Sequence, residues 1–231
     1  LAPTPVAEKY VTKEELGQKQ EIYPLDLYMC RNCSHVQLLD VIDAKFLFDD
    51  NYTFMTSNTA GLVRHFEEYA DNVIHRFQPT ANALVVDVGS NDGTLLRCFQ
   101  KRGLRVLGVD PARQIADKAT RSGIETLPEF ITPALARQIK KKRGPAAIVT
   151  ANNAFAHADD LAAMADSIHE MLAPDGVFVF EVSYLLDVIE YMLLGTIFHE
   201  HLSYHSVKPM VEFLRRHGME LIDVARVTIQ G

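Results

Sequence analysis

The sequence predicts an α/β protein: a doubly wound, mostly parallel sheet preceded by a small irregular or β-rich module. Three observations carry this. From residue 84 onward, short apolar runs alternate with stretches of helical spacing, the order of parallel βαβ units. The clearest of these runs are nearly all-apolar, as strands buried on both faces are. Residues 1–50 lack a long helical period and hold a Cys-x-x-Cys pair.

The elements follow in order. Over 58–77, Leu62, Phe66, Tyr69, Val73 and Phe77 recur at three- and four-residue steps, which predicts a helix. Leu84–Val88 is the first strand, and a glycine turn leads into a helix through about Arg102. Arg105–Val109 is the second strand, followed by a helix near 112–122. Ile124–Leu127 is a third, weaker strand and Ala146–Thr150 the fourth. A helix over roughly 159–173 closes on the turn signal Pro174-Asp175-Gly176, and Val177–Val182 is the fifth strand. A helix near 184–194, a polar His-rich segment and a helix at 207–217 lead to a strand expected at 219–225. Three parts result: 1–50, a small module; 51–83, a helical linker and lid; and 84–231, the sheet domain.

Composition narrows the partners. Of 231 residues, 48% are apolar and 23% charged, an ordinary globular mixture. The formal net charge is −7, and no basic face stands out, which argues against nucleic acid or an anionic membrane as partner. The basic run Lys140–Arg143 reads as the solvated end of a helix. No stretch has the ~20 apolar residues of a membrane span, and no signal peptide opens the chain. Three cysteines make no disulfide framework, so a reducing, cytoplasmic setting is expected. A monomer suffices for the site described next. The chain opens on Leu1 rather than Met, and Val227–Gly231 reads as a strand cut short, so a piece of a longer protein is expected.

The sharpest ligand signal is Val86-Asp87-Val88-Gly89-Ser90-Asn91-Asp92-Gly93-Thr94, where the first strand gives way to a helix. In open parallel sheets ligands bind beyond the carboxyl ends of the strands, near the switch in strand order. Gly89 and Gly93 allow close approach of backbone, and Asn91 adopts the left-handed region at lower cost than most residues. Asp110, followed by Pro111, ends the second strand and suits ribose hydroxyls. The loop lacks the G-x-G-x-x-G dinucleotide pattern, and no P-loop exists. Asp87 and Asp92 would repel a pyrophosphate and favour a cationic ligand. S-adenosylmethionine fits: a ribose, an amino group and a sulfonium, with no phosphate. Gly89, Ser90, Asn91, Asp92 and Gly93, with Asn152 and Asn153 after the fourth strand, complete its expected site.

Cys30 and Cys33 supply two of the four positions of a tetrahedral structural zinc, with His35 a possible addition. Cys98 reads as a small buried hydrophobe. Among the histidines, His65, His75, His169 and His217 fall in helical patterns and read as surface or satisfied residues, and His35 and His205 are undecided. His157 follows the fourth strand, and His199 and His201 flank Glu200 after the fifth strand and its helix. A histidine base tuned near neutral pH, oriented by a carboxylate, suits removal of a proton alpha to a ketone, the step that makes a carbon nucleophilic.

These residues carry a resemblance. The glycine loop with Gly108-Val109-Asp110-Pro111 resembles motif I of class I S-adenosylmethionine-dependent methyltransferases. Taken together with Cys30-Arg31-Asn32-Cys33, Val36-Gln37-Leu38, Asn152 to His157 and Phe198-His199-Glu200-His201, the chain resembles the sugar C-methyltransferases of deoxysugar pathways over almost its whole length. The resemblance implies a Rossmann-like methyltransferase sheet after a zinc-ribbon-like module, and a further C-terminal domain. It implies that Cys30 and Cys33 are half of a zinc site whose first Cys pair would precede Leu1. It implies that His157, Glu200 and His201 line a sugar site for a nucleotide-linked keto-deoxysugar, a small-molecule substrate. Two family tyrosines are replaced, by Phe54 within Asn51-Tyr52-Thr53-Phe54 and by Phe198. Phenylalanine moves no proton, so unless Tyr52 or Tyr204 substitutes, that work falls on histidine. The expected activity is methylation of a carbon alpha to a ketone. The alternatives are O-methylation of another small molecule and a non-catalytic cofactor-binding module; a dinucleotide oxidoreductase ranks last, because its fingerprint is missing.

Overall fold

Residues 1–7, 9–48 and 52–227 are described by the computed structural model; Asn51 and the tail from Thr228 to Gly231 lie outside them. Two short strands, β1 (Leu27–Met29) and β2 (Val36–Leu38), and one turn of helix, α1 (Ala44–Leu47), come first. The long α2 (Ala60–Phe77) follows. The alternating part then runs β3 (Leu84–Val88), α3 (Thr94–Lys101), β4 (Arg105–Val109), α4 (Arg113–Arg121), β5 (Thr126–Leu127), α5 (Pro133–Arg143), β6 (Ala146–Thr150), α6 (Leu161–Met171) and β7 (Leu172–Val179). The chain closes with α7 (Leu185–Glu190), β8 (Ser203–Tyr204) and α8 (Val207–Arg216).

The main sheet has the order β5-β4-β3-β6-β7, with every neighbouring pair parallel. The all-apolar runs are explained by packing on both faces. Val86 and Val88 face a cluster with Leu135, Ile139, Ile168 and Met171 of α5 and α6, whereas Val85 faces Leu62, Phe66, Leu96 and Phe99 of α2 and α3. The predicted helix at 58–77 is therefore a layer of the sandwich as well as a connection. Its apolar stripe, Leu62, Phe66, Tyr69, Ala70 and Val73, is buried. Lys140–Arg143 does end a helix, α5, which starts on the Thr132 cap and Pro133.

Two expectations need correction. The turn signal Pro174-Asp175-Gly176 does not separate α6 from β7, because β7 begins at Leu172 and carries these residues as an irregularity. Ala146 pairs with Leu172 and Ile148 with Val177, so five steps along β7 match two along β6. The strand also stops at Val179, short of Val182, because the Glu181 N–H turns to the side chain of Asn152. The strand expected at 219–225 is absent, and the residues from Met219 to Val227 form no strand. Its alternating pattern makes a strand only with a pairing partner, and these residues pair with none of the described strands. Met219 and Leu221 pack on the core instead, and Asp223 pairs with Arg76.

A second sheet, antiparallel and ordered β1-β2-β8, joins the start of the chain to its far end. Val36 pairs with Tyr204 and Gln37 with Ser203. Leu25, Val36 and Leu38 share a buried cluster with Leu185, Val188, Ile197, Leu202 and Tyr204. The small module thus completes its sheet with a strand from the His-rich segment, and His205 next to that strand stacks on Phe155, just after β6.

Candidate active site

A cleft of about 810 Å³ opens at the carboxyl ends of β3 and β6, where the strand order reverses. Gly89, Ser90 and Asn91 line it after β3, Asp110 and Pro111 after β4, and Asn152 and Asn153 after β6. The same cleft is lined by His157, Phe198, Glu200 and His201, and by Tyr52 and Phe54 ahead of α2. Residues from five separated stretches of sequence therefore meet in one place.

The glycine loop is held by its own hydrogen bonds. The N–H groups of Gly89 and Ser90 both donate to the Val109 carbonyl, and that of Asn91 to Asp110 Oδ2 at 2.7 Å. Asp110 Oδ1 accepts from the Ala112 N–H. Burial raises the Asp110 pKa; the two backbone N–H groups oppose this, and the Asp92 charge adds to it. Asn91 has φ 50° and uses its side chain as a clamp: Oδ1 accepts from the Thr56 N–H and Nδ2 donates to the Phe54 carbonyl. This pins Phe54 at the cleft. Gly89 lies so close to Ala154 that a Cβ there would sit 2.4 Å from the Ala154 Cβ. Asp87 is buried under the loop and accepts a hydrogen bond from Thr150 Oγ1 at 2.6 Å. Burial pushes its pKa up to about 7, the Thr150 hydroxyl opposes this, and the Asp110 charge adds to it.

Four expected site residues stand elsewhere. Asp92 caps α3, accepting from the Thr94 N–H and hydroxyl and from the Ser57 N–H. Burial alone would raise its pKa, but these bonds outweigh burial and hold it below the ordinary carboxylate value. A carboxylate with its lone pairs so engaged is a cap rather than a cation site. Gly93 meets Ile124, not the cleft: with φ +77°, a Cβ there would lie 2.7 Å from Ile124 Cγ2. His199 is buried against Tyr23, with Nε2 3.3 Å from the Tyr23 carbonyl. Tyr204 lies in β8 inside the second sheet's core, where burial raises its pKa and keeps the phenol protonated.

The remaining histidines form a stack. The rings of His157 and His201 are 5.1 Å apart and nearly parallel, Phe48 also stacks with His157 at 5.8 Å, and Phe198 lies 4.0 Å from His201. His201 Nδ1 is 2.7 Å from the Thr196 carbonyl. A carbonyl only accepts, so Nδ1 carries the hydrogen and Nε2 keeps its lone pair. Burial lowers the His201 pKa; burial and the neighbouring His201 push His157 down to about 3. Both rings are neutral near pH 7, the form a base requires. The buried Glu200 lines the same cleft.

Several residues at and around this site were not legible in the sequence, Phe48 on His157 among them. His65 Nε2 contacts both carboxylate oxygens of Glu181, at 2.8 and 2.9 Å, across 116 residues of sequence. Ser183, after β7, lines the cleft with a buried hydroxyl that has no partner. The helical spacing of α2 marked His65 as placed on a helix, but nothing local pointed to its partner.

Cys30 and Cys33 sit together in the tight turn between β1 and β2, both exposed, with the Ser34 N–H donating to the Cys30 carbonyl. The backbone N–H groups of Cys33 and Asn32, and then the Cys33 thiol, lower the Cys30 pKa. Among the described residues no set of three His, Cys, Asp or Glu side chains could hold a metal ion. His35 Nε2 instead meets Ser203 Oγ at 3.2 Å. The pair does not fit a complete zinc site by itself. Cys98 is buried in α3, its thiol donating to the Thr94 carbonyl. No helix among the described residues is long and apolar enough to cross a membrane.

The parallel sheet, with its ligand-side loop after the first strand and acidic second strand end, defines the methyltransferase class of Rossmann-like folds. The chain belongs to the family whose model is described as a methyltransferase domain, which matches residues 62–224. A second family model, of a domain named for zinc binding, matches residues 1–48. Over 228 residues the chain is 34% identical to the C-methyltransferase NovU of Streptomyces niveus; the match takes in 99% of this chain and 54% of that protein. The chain therefore spans about half the length of this relative. Among solved structures it is similar to a chain in the complex between the Haloferax volcanii Trm112 methyltransferase activator and a methyltransferase. That match has TM-score 0.55 and 19% identity, covering 74% of this chain and 79% of that one. It is also similar to the YcgJ protein of Bacillus subtilis, with TM-score 0.53 and 16% identity over 65% of this chain and 67% of that one. At these identities the structures establish the fold.

Proposed function

We propose that this chain carries the catalytic cleft of an S-adenosylmethionine-dependent C-methyltransferase that methylates a carbon alpha to a ketone in a nucleotide-linked deoxysugar. The observation that carries the reading is His201: a neutral imidazole with Nδ1 tied to a carbonyl and Nε2 free to take a proton, in the same cleft as the glycine loop. Methylation at oxygen needs far less than this.

The residues present suit the cofactor. The loop N–H groups are spent internally and the start of α3 is capped by a carboxylate, so neither offers the bare helix end that a pyrophosphate seeks. Asp110 keeps acceptor capacity for ribose hydroxyls. Bound there, S-adenosylmethionine supplies an electrophilic methyl group on a sulfonium. His201 Nε2 takes the alpha proton, and the electron pair left on carbon is available to form the new bond to that methyl. Glu200 stabilises the imidazolium that results, as the carboxylate of a triad does. Phe54, Phe198 and Phe48 keep water from the proton being moved. No Lys or Arg is among the described residues lining the cleft, so the cleft takes the neutral keto-sugar ring and the diphosphate lies outside it. The name of the relative NovU supports carbon as the methylated atom.

Incubation with S-adenosylmethionine bearing a ¹³C methyl group and a set of nucleotide-linked keto-deoxysugars tests the reading. A ¹³C methyl signal coupled to ring carbon is expected. A methoxy signal would replace this reading with O-methylation.

A further inference from the structure

The cofactor of the reading above has an end that the cleft does not obviously accommodate. Its amino-acid portion carries a carboxylate, yet the described cleft-lining residues include Asp87, Asp110, Glu129, Asp159, Asp160 and Glu200 and no Lys or Arg. An anion in such surroundings needs hydrogen-bond donors, and the obvious ones are taken. The N–H groups of Gly89 and Ser90 go to Val109, that of Asn91 to Asp110 and that of Gly93 to Ser90. The Asn91 side chain is spent on Phe54 and Thr56. Ser90 Oγ has no partner, but it is turned toward Gly108, close enough that a Cβ there would lie 2.4 Å from it.

Asn152 differs. It lines the cleft two residues beyond β6, and Asp87 of the neighbouring β3 pairs with Thr150. Its Oδ1 accepts from the Glu181 N–H at 2.9 Å and from the Tyr69 hydroxyl at 3.3 Å. A backbone N–H only donates, so the amide cannot turn over without setting donor against donor. Its Nδ2 is buried and has no partner, a state that is costly until an acceptor arrives. The support extends outward, since His65 grips both oxygens of Glu181 from α2. The phenol of Tyr69 is itself buried and stays protonated, so it remains a donor.

We propose that the Asn152 amide is the donor that receives the carboxylate of the cofactor's amino-acid end, with Tyr69, Glu181 and His65 as positioning residues that fix which way the amide points. The inference rests on the proposed use of S-adenosylmethionine and names the part of the cofactor that Asn152 holds. It explains why a histidine and a glutamate are paired beneath the cleft without lining it.

Two ligands separate the possibilities on the 231-residue chain by isothermal titration: S-adenosylhomocysteine, and 5′-methylthioadenosine, which keeps the nucleoside and sulfur but lacks the amino acid. Asn152→Ala should weaken S-adenosylhomocysteine about tenfold to hundredfold, the range for a hydrogen bond to a charged group, and leave methylthioadenosine unchanged. Asn152→Asp, nearly the same shape, should weaken S-adenosylhomocysteine further, by setting carboxylate against carboxylate. Tyr69→Phe should give a smaller loss, again for S-adenosylhomocysteine alone, which covers the case in which Asn152→Ala fails to fold. Equal losses for both ligands, or no loss for either, would overturn the assignment; so would a selective loss in Ser183→Ala with none in Asn152→Ala. If the unaltered chain bound neither ligand, the functional reading itself would fall and this inference with it.

Discussion

Gly93→Ala tests how the cofactor loop is built. Gly93 has φ +77°, and an L residue in the left-handed region costs about 1–2 kcal/mol. The new Cβ would also lie 2.7 Å from Ile124 Cγ2 and 2.9 Å from Ile124 Cβ. Ile124 is fully buried, so it can move only by disturbing the core, and overpacking of this kind costs about 1–3 kcal/mol. The sum is about 2–5 kcal/mol, or a fall in Tm of roughly 4–20 °C for a domain of this size. Gly123→Ala is the matched control. Gly123 has φ +92° with nothing within 4 Å of the added Cβ, so it bears the backbone part alone. Thermal melts followed by circular dichroism should rank Gly93→Ala well below Gly123→Ala. On an Ile124→Ala background the Gly93→Ala step should become cheaper, because the two sites are coupled through one contact. Equal drops for the two glycine variants, with no coupling to Ile124, would refute the packing argument.

Three further outcomes follow from the site. Asp87 is held near pKa 7 in the folded chain and titrates near 4 when unfolded, so it costs stability as pH rises from about 4 to 7. Asp87→Asn should therefore be indistinguishable from the unaltered chain near pH 4 and more stable by as much as about 4 kcal/mol above pH 7 in urea titrations, while binding S-adenosylhomocysteine less well. His205 is buried against Phe155 with its pKa pushed down to about 3, by burial first and then by His35. The unfolded ring takes a proton from about pH 6.5 downward while the folded ring does not, so stability is lost as pH falls from about 6.5 toward 3. His205→Phe should remove about one proton from the uptake on unfolding at pH 5; an unchanged slope would count against a neutral buried ring. His201→Ala should lower kcat by a factor on the order of 10² and leave S-adenosylhomocysteine affinity unaltered; undiminished exchange of the alpha proton with deuterated solvent in this variant would remove His201 as the base.

Much of the sheet was legible because its strands obey one local rule. β3, β4 and β6 are five-residue runs, largely apolar, set between amphipathic helices, and burial on both faces leaves no other use for them. The loop after β3 was legible for the same local reason. What the sequence did not disclose was direction and partnership. A carboxylate beside a helix start can cap the helix or face the ligand, and for Asp92 the Ser57 N–H, 35 positions away, decides it. His199 and His201 share one motif, but the pairing of β8 with β2 and the contact with Tyr23 decide which ring reaches the cleft. The run at 219–225 has a strand's alternation without a strand's neighbour. His65 and Glu181 meet because α2 packs over the sheet, which no window of sequence contains.

Isothermal titration of the chain with S-adenosylhomocysteine and, separately, with NAD tests the central claim most directly. The account predicts that S-adenosylhomocysteine binds at one site per chain, that Asp110→Ala weakens it through the lost ribose contact, and that NAD does not bind, since the N–H groups of the loop after β3 and the start of α3 are already taken and offer nothing to its pyrophosphate. Binding of NAD with none of S-adenosylhomocysteine would contradict the account.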